Sequence, residues 1–215
     1  MSLSKMLRVL CVLAILFALG PARADGPGAA APRPENGPYF SGQLLIAGPA
    51  MPDPRFSKTV IYLADHDADG AFGLVLNRPI GQGPVEDFLI GLGMEIAPSE
   101  EISGEISVHS GGPVEPGAGF VLHTNDYQTE STAMLRGSVA VSASLKAVKD
   151  IGLGHGPRRH LVMLGYAGWG PRQLESEMRR GDWEITPYDE ELVFGTGMTP
   201  EEKWQRARAV SGIPL

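Results

Sequence analysis

The sequence predicts a mixed α/β domain whose sheet is centred on one β-hairpin. Three observations predict it. Two apolar runs, residues 59–63 and 72–76, flank a polar turn at 64–70. Neither run alternates polar with apolar, which marks strands buried on both faces in the middle of a sheet. Short stretches with helix start and stop signals surround them, long enough to cover such a sheet.

Taken in order, the chain opens with a positive start (Lys5, Arg8), an apolar run at 9–19, and Ala22-Arg23-Ala24 before Asp25. This is the pattern of a secretory signal peptide over residues 1–24. The run is too short for a permanent bilayer span. The mature protein is therefore expected to be exported, periplasmic where the cell has two membranes, with no stable membrane anchor after cleavage. The alternative is a cytoplasmic protein that keeps the segment. Cys11, the single cysteine, lies inside the run. Cleavage removes it, and with it any disulfide, thiol nucleophile or cysteine-based zinc site. Residues 25–38 (DGPGAAAPRPENGP) are a Pro/Gly/Ala linker with too little apolar content to fold. One domain is expected over residues 39–215.

Within it, residues 43–47 (QLLIA) form the first strand, and 48–54, with three prolines, a loop. After the hairpin, Pro79 lacks an N–H and disfavours helix at Arg78, so the strand is expected to stop there. Residues 84–92 read as a short helix with Pro84 in its first turn, Glu86 and Asp87 at its positive end, and Gly93 closing it. Residues 106–109 and 119–123 are strands around the turn 110–117, and 125–136 a polar loop. A strand at 138–141 and a helix at 144–151 follow, then an apolar strand at 160–166. Pro171 suits the first position of a helix that Gly181 stops, with Leu174 and Met178 facing inward and Glu175 and Arg179 spaced to pair. Residues 183–185 and 192–194 read as edge strands. Thr199-Pro200-Glu201-Glu202 is a capping box. The helix it opens is expected to bury Trp204, Ala207 and Val210, and to end at Gly212 and Pro214.

Charge excludes one class of partner. The chain carries a formal charge of -7. Removing Lys5, Arg8 and Arg23 leaves 15 basic against 25 acidic residues, or -10. Such a domain repels phosphate backbones, and its densest basic spots, Arg158-Arg159 and Arg179-Arg180, are only pairs. No nucleic-acid partner is expected.

GQLLIAGPAMPDPRFSKTVIYL, GAFGLVLNRPI, SGGPVEPGAGFVLH, LGYAGWGPRQLESE and LVFG…KWQRARAVSGI occur in this order over residues 42–213. In these blocks the chain resembles the YqgE/AlgH family. The resemblance implies a twisted, bifurcated, mainly antiparallel sheet closing toward a pseudo-barrel, flanked by short helices. It implies no established biochemical activity. Some members are labelled transcriptional regulators of exopolysaccharide production, a role at odds with an export signal and an acidic surface.

Several constellations bear on chemistry. Asp65-x-Asp67-x-Asp69-Gly70 opens like a calcium loop, but position twelve would be Leu76 where a glutamate is needed. A solvated acidic hairpin turn is the preferred reading, with no metal and no cofactor. His66, within this turn, is a candidate ligand-contacting group, and matches a histidine often found there in the family. Asn77 and Arg78 end a strand where sites gather, and Arg78 offers a fork for a carboxylate or phosphate. Ser110, Gly111 and Gly112 offer backbone N–H groups to an anion, against a tight turn. His109 adjoins Ser110, but neighbours on a strand face opposite ways. His155 and His160, with Arg158-Arg159 between, offer groups for a metal or an anion, but His160 enters an apolar strand and the spacing fixes no geometry, so a metal is not expected. Trp169 and Gln173 flank a helix start. No catalytic set is complete. The chain is read as a non-enzymatic ligand-binding or regulatory domain for an unknown small molecule or protein. Its site would lie where Asn77-Arg78, residues 110–113 and residues 169–173 converge. The rival is a hydrolase-like enzyme using His66 or His123 with Arg78.

Overall fold

The computed structural model describes residues 39–211. The expected signal peptide, the linker, and the stop at Gly212 and Pro214 lie outside the described residues.

Ten strands form one curled, mainly antiparallel sheet: β1 (Leu44–Ala47), β2 (Val60–Asp67), β3 (Gly70–Val75), β4 (Pro79–Pro84), β5 (Glu105–Ser110), β6 (Val114–Thr124), β7 (Thr132–Met134), β8 (Val139–Ser142), β9 (His160–Trp169) and β10 (Trp183–Thr186). Among the described residues five short α-helices flank them: α1 (Val85–Gly91), α2 (Leu145–Gly152), α3 (Gln173–Arg179), α4 (Glu190–Phe194) and α5 (Pro200–Val210). The spatial order is β10-β1-β2-β3-β9-β6-β8-β7, with β4 and β5 branching off β9. This is the mixed, bifurcated half-barrel that the sequence blocks imply.

The apolar hairpin sits at its middle. Along β1, β2 and β3 successive residues alternate between two cores. Leu44, Ile46, Val60, Tyr62 and Leu74 pack with Phe120, Met163, Leu192, Phe194 and Trp204. Leu45, Ile61, Leu63 and Val75 pack on the other face with Trp169, Leu174 and Trp183. Both faces being covered is why these strands show no polar alternation. A third core joins α1 and α2 to β5, β6 and β9 through Val85, Leu89, Val108, Val121, Val148 and Val162.

The fork lies along one edge of β9. Gly73, Phe72 and Ala71 of β3 pair antiparallel with residues 167–169. Val108, His109 and Ser110 of β5 pair parallel with residues 162–164. At the split, Gly111 N–H donates to the Leu164 carbonyl at 2.7 Å, and its own carbonyl accepts from Val75 N–H at 2.9 Å. A Cβ on Gly111 would lie 2.2 Å from the Gly165 carbonyl oxygen, and Gly165 itself has φ +72°. The chains approach too closely there for any side chain.

Several expected boundaries move. The polar turn at 64–70 is mostly strand: β2 runs to Asp67, and only Ala68 and Asp69 form the turn. Asp67 Oδ1 accepts from Asp69 N–H at 2.8 Å, which fixes it. Residues 79–84, read as strand stop and helix start, form the exposed edge strand β4, where proline is tolerated because no second ladder needs its N–H. β7 lies within the expected polar loop. Residues 192–194 are helical because Asp189 caps α4, accepting from Glu191 and Leu192 N–H. Pro171 lies before α3, whose N-cap is Arg172 in the left-handed region. The buried stripe of α5 takes in Lys203, Trp204, Ala207 and Arg208, while Val210 is 50% exposed.

Candidate functional site

The residues singled out in sequence fall in separate places. His66 is 2% exposed on β2. Its Nδ1 accepts from Phe40 N–H at 3.1 Å, so Nε2 carries the proton and faces Glu175 Oε1 at 3.4 Å. Phe40 stacks on the ring and Tyr39 meets it edge-on. Asp65 is 3% exposed, within the strand. Among the described residues no three potential metal-ligating side chains come together.

Asn77 is buried and uses each polar atom within the fold. Its Oδ1 accepts from Val60 N–H at 2.9 Å, and its Nδ2 donates to the carbonyls of Lys58 and Pro200. Arg78 donates to the Ser57 carbonyl and to Thr59 Oγ1. Ser110 N–H donates to the Arg78 carbonyl at 2.8 Å. Gly111 and Gly112 are packed against the backbone of residues 165–167 at the fork. Trp169 and Trp183 both donate their indole N–H to Glu177 Oε2 at 2.8 and 2.9 Å. Gln173 accepts from Gly170 N–H and donates to Glu177 Oε1, so its amide is used within the fold. The three stretches expected to converge do not: Asn77 lines one cleft, whereas Pro113, Trp169 and Gln173 line another, of about 290 Å³.

The larger cleft, of about 530 Å³, opens where the sheet forks. Leu76 and Asn77, just past β3, form one wall, and His109 of β5 with His160 of β9 another. The loop from α4 to α5 and Lys203 of α5 close it. Lys203 is only 5% exposed, and its Nζ donates to the Val193 carbonyl at 3.4 Å. The capping box at Thr199 starts α5 so that Lys203 falls in its first turn. Burial, and then the nearby Arg159 guanidinium, push the Lys203 amine down to about 8, with Glu191 opposing. Nδ1 of His109 and of His160 are sealed from solvent beside the backbone of Ser107 and Pro157, and the His160 ring, in register with His123, lies on the Val162 face of β9, away from Lys203. Burial holds both rings below the usual histidine range; Lys203 adds to this at His109, and His123 at His160. At the rim, Arg159 pairs with Glu190 at 3.2 Å and with Glu191, and Arg158 pairs with Glu190 at 3.3 Å.

Lys203 was missed in sequence because a lysine beside Trp204 on a capped helix reads as solvent-facing. Its signal was positional: it precedes the apolar residue by one and so shares the edge of the buried face. Arg158, Arg159 and His160 were visible as a basic pair and a neighbouring histidine, but not as one wall of a cleft.

A serine–histidine pair also exists. His123 donates from Nδ1 to the Thr124 carbonyl at 2.7 Å and accepts at Nε2 from Ser142 Oγ at 2.9 Å. Thr132 Oγ1 donates on to Ser142 at 2.7 Å. Both His123 and Ser142 are 0% exposed, and the chain of hydroxyls ties β6, β8 and β7 together.

Known proteins resemble the chain along most of its length. A family model described as AlgH-like matches residues 44–215. A UPF0301 protein of Methylococcus capsulatus is 41% identical over 182 residues, covering 85% of this chain and 97% of that protein. One from Sphingopyxis alaskensis is 44% identical over 175 residues, covering 81% and 90%. The solution structure of the AlgH protein from Pseudomonas aeruginosa superposes with a TM-score of 0.68 at 37% identity, covering 85% of this chain and 94% of that one. A crystal structure of a protein from Corynebacterium diphtheriae shares the fold at 19% identity, with a TM-score of 0.60 and coverage of 85% and 91%.

Proposed function

Since the chain belongs to the AlgH-like family, whose relatives above are named without an activity, we propose that it is a non-enzymatic ligand-binding domain with its site in the cleft at the sheet fork. One observation carries this reading. A 95%-buried lysine, the Arg159 guanidinium and the partly buried His109 line a single cleft. Burying the Lys203 ammonium beside the Arg159 guanidinium opposes folding unless something outside the chain engages them. The test is a ¹⁵N-resolved NMR screen of the full chain against small fragments of positive, negative and neutral charge. Shifts centred on His109, Arg159 and Lys203 are expected. Ligands that perturb only other surfaces would remove the reading.

The His123–Ser142 bond favours a second reading, a serine hydrolase. Its distances suit a nucleophile and base. Yet a hydroxyl sealed from solvent cannot reach a substrate without the β7–β8 pair opening. Labelling of Ser142 by a fluorophosphonate would favour the enzyme; an unlabelled protein leaves the binding domain.

We propose also, from the positive start, apolar run and Ala22-Arg23-Ala24 pattern, that the mature chain lies outside the cytoplasm. An N-terminus at Asp25, found by sequencing the native protein, supports that placement; a retained Met1 end removes it.

A further inference from the structure

We propose, resting on the binding-domain reading above, that the cleft takes a small oxyanion of two or more negative charges, a phosphorylated or polycarboxylate compound, held by Lys203, His109 and Arg159. The groups that reach the cleft are donors. The Lys203 ammonium offers N–H groups beyond the one on the Val193 carbonyl, and the Arg159 guanidinium a planar fork. The carboxylate in the lining, Glu105, is exposed at the outer edge and accepts from Gln82 at 3.0 Å. Lys203 has a carbonyl as its hydrogen-bond partner, not a carboxylate. Glu190 and Glu191 instead sit on Arg159, as internal counter-ions that an entering anion displaces.

The rest of the molecule narrows the class further. A chain of net charge -7 offers a polyanion no extended basic surface, so the ligand is compact rather than a nucleic acid. A cleft of about 530 Å³ suits a molecule of metabolite size.

Uptake is coupled to protons. Lys203 faces Arg159 from the residue before β9 and Glu191 from α4; His109 faces Lys203 from α5. A bound anion favours the charged form of each, so binding draws protons in and affinity rises as pH falls.

The test is isothermal titration of the full chain with pyrophosphate and with citrate, from about pH 8.5 down to about pH 6. At least one probe is expected to bind, with affinity rising about tenfold or more over that range. Lys203→Met is expected to weaken it about tenfold or more without lowering Tm. Pyrophosphate alone binding assigns a phosphorylated ligand, citrate alone a polycarboxylate, and both a site that reads charge. Neutral or cationic fragments binding the cleft while both anions fail would overturn this inference and leave the binding domain standing. No probe of any charge reaching the cleft would overturn both. An affinity indifferent to pH or to Lys203→Met also overturns it.

Discussion

Lys203 holds a charge where the fold has removed nearly all water from it. Its amine falls from an ordinary 10.5 to about 8. Below pH 8 the lysine is charged in both folded and unfolded chains, and the full cost of burying it is present. As pH rises from 8 to about 10.5 the native amine is neutral first and the cost fades. The shift corresponds to a penalty on the order of 3 kcal/mol at neutral pH. Lys203→Met, close in length and apolar, is therefore expected to raise stability at pH 7 by roughly 1–3 kcal/mol, measured by urea unfolding, with the gain vanishing toward pH 10.5. A loss of stability would mean that the ammonium contributes to the fold instead of opposing it. His66 shows how residue identity and residue setting separate. Its ring chemistry was legible, but a run of Asp-His-Asp-Ala-Asp reads as a turn. Only the pairing His66↔Ala71, with a bulge between Leu63 and Asp65, places it inside a strand.

At the scale of elements, the fork and the last helix carry the site. Gly111→Ala would press a Cβ to 2.2 Å from the Gly165 carbonyl oxygen, whereas at Gly117 a Cβ meets nothing within 4 Å. Gly111→Ala is expected to cost more than about 3 kcal/mol or to prevent folding, and Gly117→Ala to stay within about 0.5 kcal/mol, by thermal or urea unfolding. Equal effects would mean that the fork tolerates a side chain. In α5, Thr199 Oγ1 accepts from Glu202 N–H at 3.2 Å, and Glu202 Oε2 accepts from Thr199 N–H at 2.7 Å. Thr199→Ala is expected to cost about 1 kcal/mol in unfolding and to loosen the turn that carries Lys203, so amide exchange in the first turn of α5 should quicken. The capping box was legible because it is a local pattern. β4 was not, because Pro79, Gly81, Gly83 and Pro84 are turn residues that only an edge position beside β5 allows to be strand.

For the molecule as a whole, acid sensitivity is expected to begin above the carboxylate range. His109, His123 and His160 all lie below the ordinary histidine value, each chiefly through burial. As pH falls below about 6.5 the unfolded chain takes up protons that the native rings refuse, so stability drops until the native values are passed. The slope reaches up to about 1.4 kcal/mol per pH unit for each histidine. A urea-unfolding series across this range checks it. A flat profile between pH 7 and 5 would show that the rings charge in place. The acidic surface contributes little here, because it stays ionised throughout the window.

The sequence by itself determined the class of fold, the buried central hairpin, the capping box of α5, and a basic pair beside a histidine. These are legible because burial on both faces, capping and turn chemistry are written in neighbouring residues. Tertiary structure alone decided which of those residues face each other. His109, Arg159 and Lys203 are contributed by β5, the approach to β9 and α5, so their meeting depends on a sheet that forks at Gly111 and on a helix docked across the opening. Contacts between residues nearly a hundred positions apart leave no local pattern, since the energy that selects them comes from packing the whole core.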